Sequence, residues 1–168
     1  MAVQLHITTE GGLEVQRAIG ELVDRFGDLT PLMEGFGLTL ESATIDRFDQ
    51  ESAPDGSKWT PSIRAREEGG KTLTDSAQLR SSITSIARSQ SVEVGTNKIY
   101  AGTHQFGATI RPKSADKLAF QLPGGLGFRK VDQVTIPPRP FLGLSVADEE
   151  ELLAQAEDYA RDAAGGVS

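Results

Sequence analysis

Apolar residues change their spacing several times along this chain, and each change marks an element. Val3, Leu5 and Ile7 alternate with Gln4, His6 and Thr8, the two-residue period of a half-buried strand, which places His6 on the solvent side. After Gly11-Gly12 the spacing lengthens to three and four: Leu13, Val15, Ala18, Ile19, Leu22, Val23 and Phe26 form one helical stripe, and Gly27 stands where that helix ends. Thr30-Pro31 reads as an N-cap with proline in the first turn, opening a second helix with the stripe Leu32, Phe36, Leu40, Ala43 and Phe48. Gly35 and Gly37 each weaken a helix interior by about 1 kcal/mol relative to alanine, so this helix depends on a neighbour that comes close. Packing within the domain is the simpler source of that neighbour; a subunit contact is the alternative.

From Ala53 to Lys71 the periodicity fails, and Pro54-Asp55-Gly56-Ser57, Pro61 and Gly69-Gly70 predict a long loop over about 53–72. It carries the only tryptophan, Trp59, read first as an anchor for its own loop and second as an interface residue. Thr74 or Asp75 can cap a short helical turn through Leu79. Ile83 and Ile86 then enter a strand that pairs with Val92–Gly95 across Ser89-Gln90-Ser91. Tyr100 and Phe106 supply two large apolar groups that would carry the following segment across the core. Leu118, Phe120 and Leu122 alternate, Pro123–Gly127 turns the chain, and Phe128 through Val134 and Ile136 returns as a second hairpin.

Three prolines around Arg139 fix φ and remove donors, predicting a stiff segment that displays residues rather than burying them. The region of about 108–141 is thus expected to project. Ser145–Asp148 matches a capping box, and Leu152, Leu153, Ala156, Tyr159 and Ala160 form the stripe of a terminal helix ended by Gly165-Gly166. Together these elements predict a single α+β domain over 1–168: a mainly antiparallel β-sheet with two N-terminal helices and a C-terminal helix packed against it.

Composition narrows the chemistry. Cysteine is absent, which removes disulfides and thiolate catalysis, and nothing at the N-terminus resembles a signal peptide or a membrane span. The net charge of −7 argues against a surface built to grip phosphates, although an acidic wall suits a passage through which DNA slides. Basic residues concentrate centrally and late: Arg111, Lys113, Lys117, Arg129, Lys130 and Arg139. They suit acidic faces of neighbouring subunits, or are simply solvated. Two distant histidines give no metal site, and no cofactor motif is present; Gly124-Gly125-Leu126-Gly127 lacks the Lys-Ser/Thr of a P-loop. A hydrolytic site from His104, Asp75 and a serine is the weak catalytic alternative, without a Gly-x-Ser-x-Gly elbow to support it.

In order, Gly56 to Trp59, Leu73–Ile83, Val94-Gly95-Thr96, Tyr100-Ala101, His104-Gln105-Phe106-Gly107 and Pro138-Arg139-Pro140-Phe141-Leu142-Gly143 resemble the tail-completion or virion-morphogenesis proteins of Mu-like and related tailed bacteriophages. The chain departs from that pattern at Ala77, where glycine is expected, and at Pro138, where a small residue is expected. The resemblance implies a non-enzymatic virion protein without cofactor, a hexameric ring of identical subunits at the neck, made in the host cytoplasm. Such a ring would join the tail tube protein to a head-closure or connector protein while DNA passes without specific binding. It also implies folding and subunit contacts at Trp59, Tyr100, His104, Gln105, Phe106, Arg139, Pro140 and Phe141, to which the basic concentration adds Arg111 and Arg129. A head-completion or capsid-assembly factor is the alternative in the same class, and a monomeric binding module the alternative outside it.

Overall fold

In the computed structural model, which describes residues 12–165, the elements in chain order are helices α1 (Leu13–Phe26), α2 (Thr30–Gln50) and α3 (Ile63–Glu68), a 3₁₀ turn (Arg80–Ser82), strands β1 (Ile83–Ala87) and β2 (Val92–Thr96), helix α4 (Ala101–Phe106), strands β3 (Ala108–Ile110), β4 (Leu118–Gln121), β5 (Phe128–Val131) and β6 (Val134–Ile136), and helix α5 (Val146–Gly165). The fold class is α+β, as expected. The strand expected at Val3–Ile7, with His6, lies outside the described residues, as does Gly166.

The long second helix is the spine of the fold. Asp28 rather than Thr30 holds its start: the Asp28 carboxylate accepts from Thr30 N–H at 2.9 Å and from its hydroxyl at 2.6 Å, and Pro31 fills the first turn. Its N-terminal half packs on α1 and α5 around Val15, Leu22, Leu29, Met33, Phe36 and Leu152. Its C-terminal end enters a second apolar cluster, in which Phe48 meets Trp59, Leu79, Ile83, Ala101, Phe141 and Leu142. The β1–β2 hairpin lies across α2 with the register Ile83↔Thr96 to Ala87↔Val92. Gly37 makes that crossing close: a Cβ there would stand 2.5 Å from Ser85 Oγ and 2.9 Å from Ser85 Cβ. Gly37 thus serves packing within the chain, whereas a Cβ on Gly35 would make only ordinary contact, 3.5 Å from Gln155 Oε1 of α5.

Three expectations change. The short helical turn before Leu79 is instead a loop in which Leu73 and Ala77 take left-handed backbone angles, φ 60° and 57°, followed by the 3₁₀ turn. The glycine expected at Ala77 is therefore explained, since an L-residue there bears a penalty of about 1–2 kcal/mol. The loop of about 53–72 contains α3, whose N-cap Ser62 accepts from Ala65 N–H at 3.1 Å. Tyr100 and Phe106 do not cross the core: the four-residue spacing of α4 turns Ala101 and Gln105 inward and leaves those rings outside.

The second hairpin, β4 with β5, forms as expected, while β6 leaves it to pair with β3 in the register Ala108↔Ile136 to Ile110↔Val134. Among the described residues all strand pairing is antiparallel, but it is divided among three two-stranded ladders. The two ladders of residues 108–136 run on from each other as an arm. Gly107 is its root: φ is +73°, and a Cβ there would lie 2.8 Å from Ile136 O and 2.9 Å from Pro138 N, a backbone approach that only glycine permits.

Candidate functional site

The His104–Gly107 and Pro138–Gly143 stretches meet in a buried knot. Gln105, facing inward from α4, uses its amide as a piece of backbone: Oε1 accepts from Phe141 N–H at 3.0 Å and Leu142 N–H at 3.1 Å, while Nε2 donates to Leu142 O at 2.9 Å. Arg139 N–H donates to His104 O at 2.7 Å, Trp59 Nε1 to Pro140 O at 2.9 Å, and Arg139 Nε to Thr60 O at 2.7 Å. Phe48 stands edge-on to Trp59 at 5.6 Å and tilted on Phe141 at 5.2 Å. These contacts correct the picture of a projecting proline arm. Trp59, Gln105, Arg139 and Phe141 are buried in their own subunit, and Pro140 is half-buried with its carbonyl occupied. Proline removed ladder donors, and side chains of the body supplied partners for the remaining groups.

Arg47 locks the knot to the helices. It donates to Phe141 O at 3.0 Å and Gly143 O at 2.9 Å, and its Nη2 forms a buried ion pair with Asp148. Burial pushes the Arg47 guanidinium down from its ordinary pKa, and the charge of Asp148 opposes that shift. Asp148 also accepts from Ser145 N–H at 2.7 Å, while its own N–H donates to Ser145 Oγ at 3.1 Å, completing the capping box of α5. Sequence reasoning missed this pair. Its signal was a charged residue one position from Phe48, inside the apolar stripe.

The exposed apolar surface lies elsewhere. Tyr100 and Phe106 (62% exposed) stand out from α4, and Ile110, Leu126 and Phe128 (59%) are exposed on the arm. Ile110, Leu118, Phe120 and Val134 line an open apolar groove of about 350 Å³ whose lining comes from the two ladders alone. Arg111 and Arg129 are exposed beside it; Arg111 Nε donates to Gln133 Oε1 at 3.2 Å. Residues 108–136 carry five lysines and arginines against two aspartates, in a chain whose total charge is −7. The groove itself was not foreseen, because its residues come from both ladders.

A cleft of about 270 Å³ gathers Ser62, Arg64, Asp75, Ser76, His104 and Arg139. This brings together the groups of the catalytic alternative without connecting them. His104 Nδ1 is buried with no hydrogen-bond partner, Asp75 faces Arg64 at 3.6 Å, and Ser62 Oγ is occupied by Ala65 N–H. Burial and the Arg139 charge hold His104 below its usual pKa. Among the described residues no group of histidines and carboxylates could hold a metal ion, and no helix is long and apolar enough to cross a membrane.

The sequence profile of the phage virion morphogenesis family matches residues 12–160. The chain is also similar to the protein named Mu-like prophage FluMu G protein 2 of Haemophilus influenzae, 32% identical over 155 residues that cover 92% of this chain and 95% of that one. No solved structure matches.

Proposed function

The chain belongs to the phage virion morphogenesis family, with a structural or assembly role in the virion, and from that premise we propose that it completes the neck as a hexameric ring. In this reading the ring joins the tail tube to a head-closure or connector protein and leaves a passage for DNA. A closed ring needs head-to-tail interfaces, so each subunit must offer two unlike patches. The observation that carries the reading is the arm: an uncovered apolar groove, flanked by Arg111 and Arg129, on a chain that is otherwise acidic. A two-stranded ribbon is marginal alone, and one with an exposed apolar face gains stability when a neighbour covers it. Its basic flanks steer it to the acidic body of the next copy and fix register there.

Ile110→Asp and Phe120→Asp test this. Each variant should keep the helical content and melting midpoint of the wild type yet fail to support joining of heads to tails in a complementation assay, with heads and tails accumulating apart. Normal particle yield from both folded variants would refute the arm as the joint. Images of the particle that place the chain on the shell or portal side would favour the head-completion alternative.

A further inference from the structure

Among the described residues, Arg139 is a buried cation that forms no ion pair with a carboxylate of its own chain. It is 6% exposed, its side chain makes one hydrogen bond, from Nε to Thr60 O, and among the described residues no acid pairs with it. Arg47 shows the contrast: equally buried, it has two carbonyls and Asp148. Taking a guanidinium from water without a counter-charge is costly, and the usual remedy is a paired, hydrogen-bonded anion. Next to Arg139, His104 keeps Nδ1 shut away from water and unpartnered. Arg64 completes the basic lining, its Nη groups on Gly69 O and Lys71 O and its Nε 3.6 Å from Asp75, a rim carboxylate 78% exposed. The wall between them is the Leu73–Ala77 loop with its two left-handed non-glycine residues, and backbone strain of this kind gathers where a site must hold its shape.

We propose that this cleft is a receptor for a carboxylate side chain of a second copy of this chain, held by the Arg139 fork with the His104 ring beside it. The partner is a protein carboxylate because the cleft admits a side chain, whereas the Asp75 rim and the recessed guanidinium repel and exclude a polyanionic strand. A second copy qualifies because Glu150 and Glu157 are exposed on α5 and, among the described residues, have no basic partner. The proposal rests on the ring reading in one respect, that copies meet through unlike patches. A carboxylate docked here would also draw a proton onto His104, since it offsets the Arg139 charge.

The test is a titration of the isotope-labelled full chain with sodium acetate against sodium chloride at matched ionic strength, reading the His104 ring and Arg139 Nε–H resonances by NMR. A short single-stranded oligonucleotide is titrated in parallel, and self-association is followed by sedimentation. Acetate should give saturable shifts that chloride does not, should raise the His104 pKa, and should loosen self-association over the same concentrations. Arg139→Lys, which keeps the charge without the fork, should weaken acetate by about fivefold or more. Shifts no larger than those of chloride, or larger shifts with the oligonucleotide, would overturn the proposal, and the wild-type titration decides this even if every Arg139 variant fails to fold. Self-association without acetate binding removes this site and leaves the ring reading. Acetate binding by a chain that never self-associates removes the second copy as its source, together with the ring.

Discussion

Replacing Asp148 with alanine tests whether the Arg47–Asp148 pair fastens the knot to the helices. The substitution leaves Arg47 buried with two carbonyls and no anion, a situation that costs roughly 3–5 kcal/mol, and it removes one half of the α5 capping box, about 1 kcal/mol more. Against a total stability of about 5–15 kcal/mol this is a large fraction. For a chain of 168 residues, where 1 kcal/mol moves the midpoint by roughly 2–4 °C, the melting temperature should fall by about 8–24 °C. The double variant Arg47→Met, Asp148→Ala removes both charges, so it should lose less than the losses of Arg47→Met and Asp148→Ala together, with a coupling of about 2–3 kcal/mol in urea titrations followed by circular dichroism. Single losses below about 1 kcal/mol, or losses that add, would show that the pair is incidental.

Gly37→Ala should destabilise by about 1–3 kcal/mol, because the clash with Ser85 exceeds the roughly 1 kcal/mol of helix propensity gained; Ser85→Ala should recover part of the loss in denaturant midpoint. Ala77→Gly should stabilise by about 0.5–1 kcal/mol, since relief of the left-handed alanine outweighs the added freedom of the unfolded chain; a lower urea midpoint would contradict the assigned backbone. His104 is held below its unfolded pKa of about 6.5, so the unfolded chain takes up a proton there that the folded chain declines. Stability contributed by that site is full above about pH 6.5 and is lost as pH falls from there through the folded pKa, and His104→Gln should flatten that part of the stability profile; an unchanged slope would sink the assignment.

Periodicity located what local forces decide. The stripes of α1 and α5, the β1–β2 hairpin and the β4–β5 hairpin each lie within one short window, and each was legible. What escaped was decided by partners distant in sequence. Pro138–Phe141 has every local mark of an exposed extended segment, yet Gln105, Trp59 and Arg47 satisfy its backbone from three other elements. Tyr100 and Phe106 have the apolarity of core residues, but a helix of six residues can turn only one face inward, and Ala101 and Gln105 occupy it. The pairing of β6 with β3 was hidden because the intervening hairpin closes first in sequence, leaving the outer ladder as a long-range contact.

Most of the residues that make the chain recognisable therefore serve the knot, whereas the apolar groove of the arm is built from other residues. The knot uses its aromatic, proline and glutamine positions to join α2, α4 and α5, and by fixing Gly107 and Pro138 it fixes the root of the arm. At the far end, Gly124 N–H donates to Glu68 Oε1 at 2.8 Å, and a Cβ on Gly124 would lie 2.5 Å from Glu67 Cβ, so the turn is seated on α3. The arm is held at its root and at its tip, with its apolar groove between them and uncovered. A free ribbon would have to be ordered as it docked, at a cost in conformational entropy; one already held at two points has met most of that cost in folding. In the proposed ring, affinity between subunits would then depend on the groove and the charges around it, while the knot sets where in space they are presented.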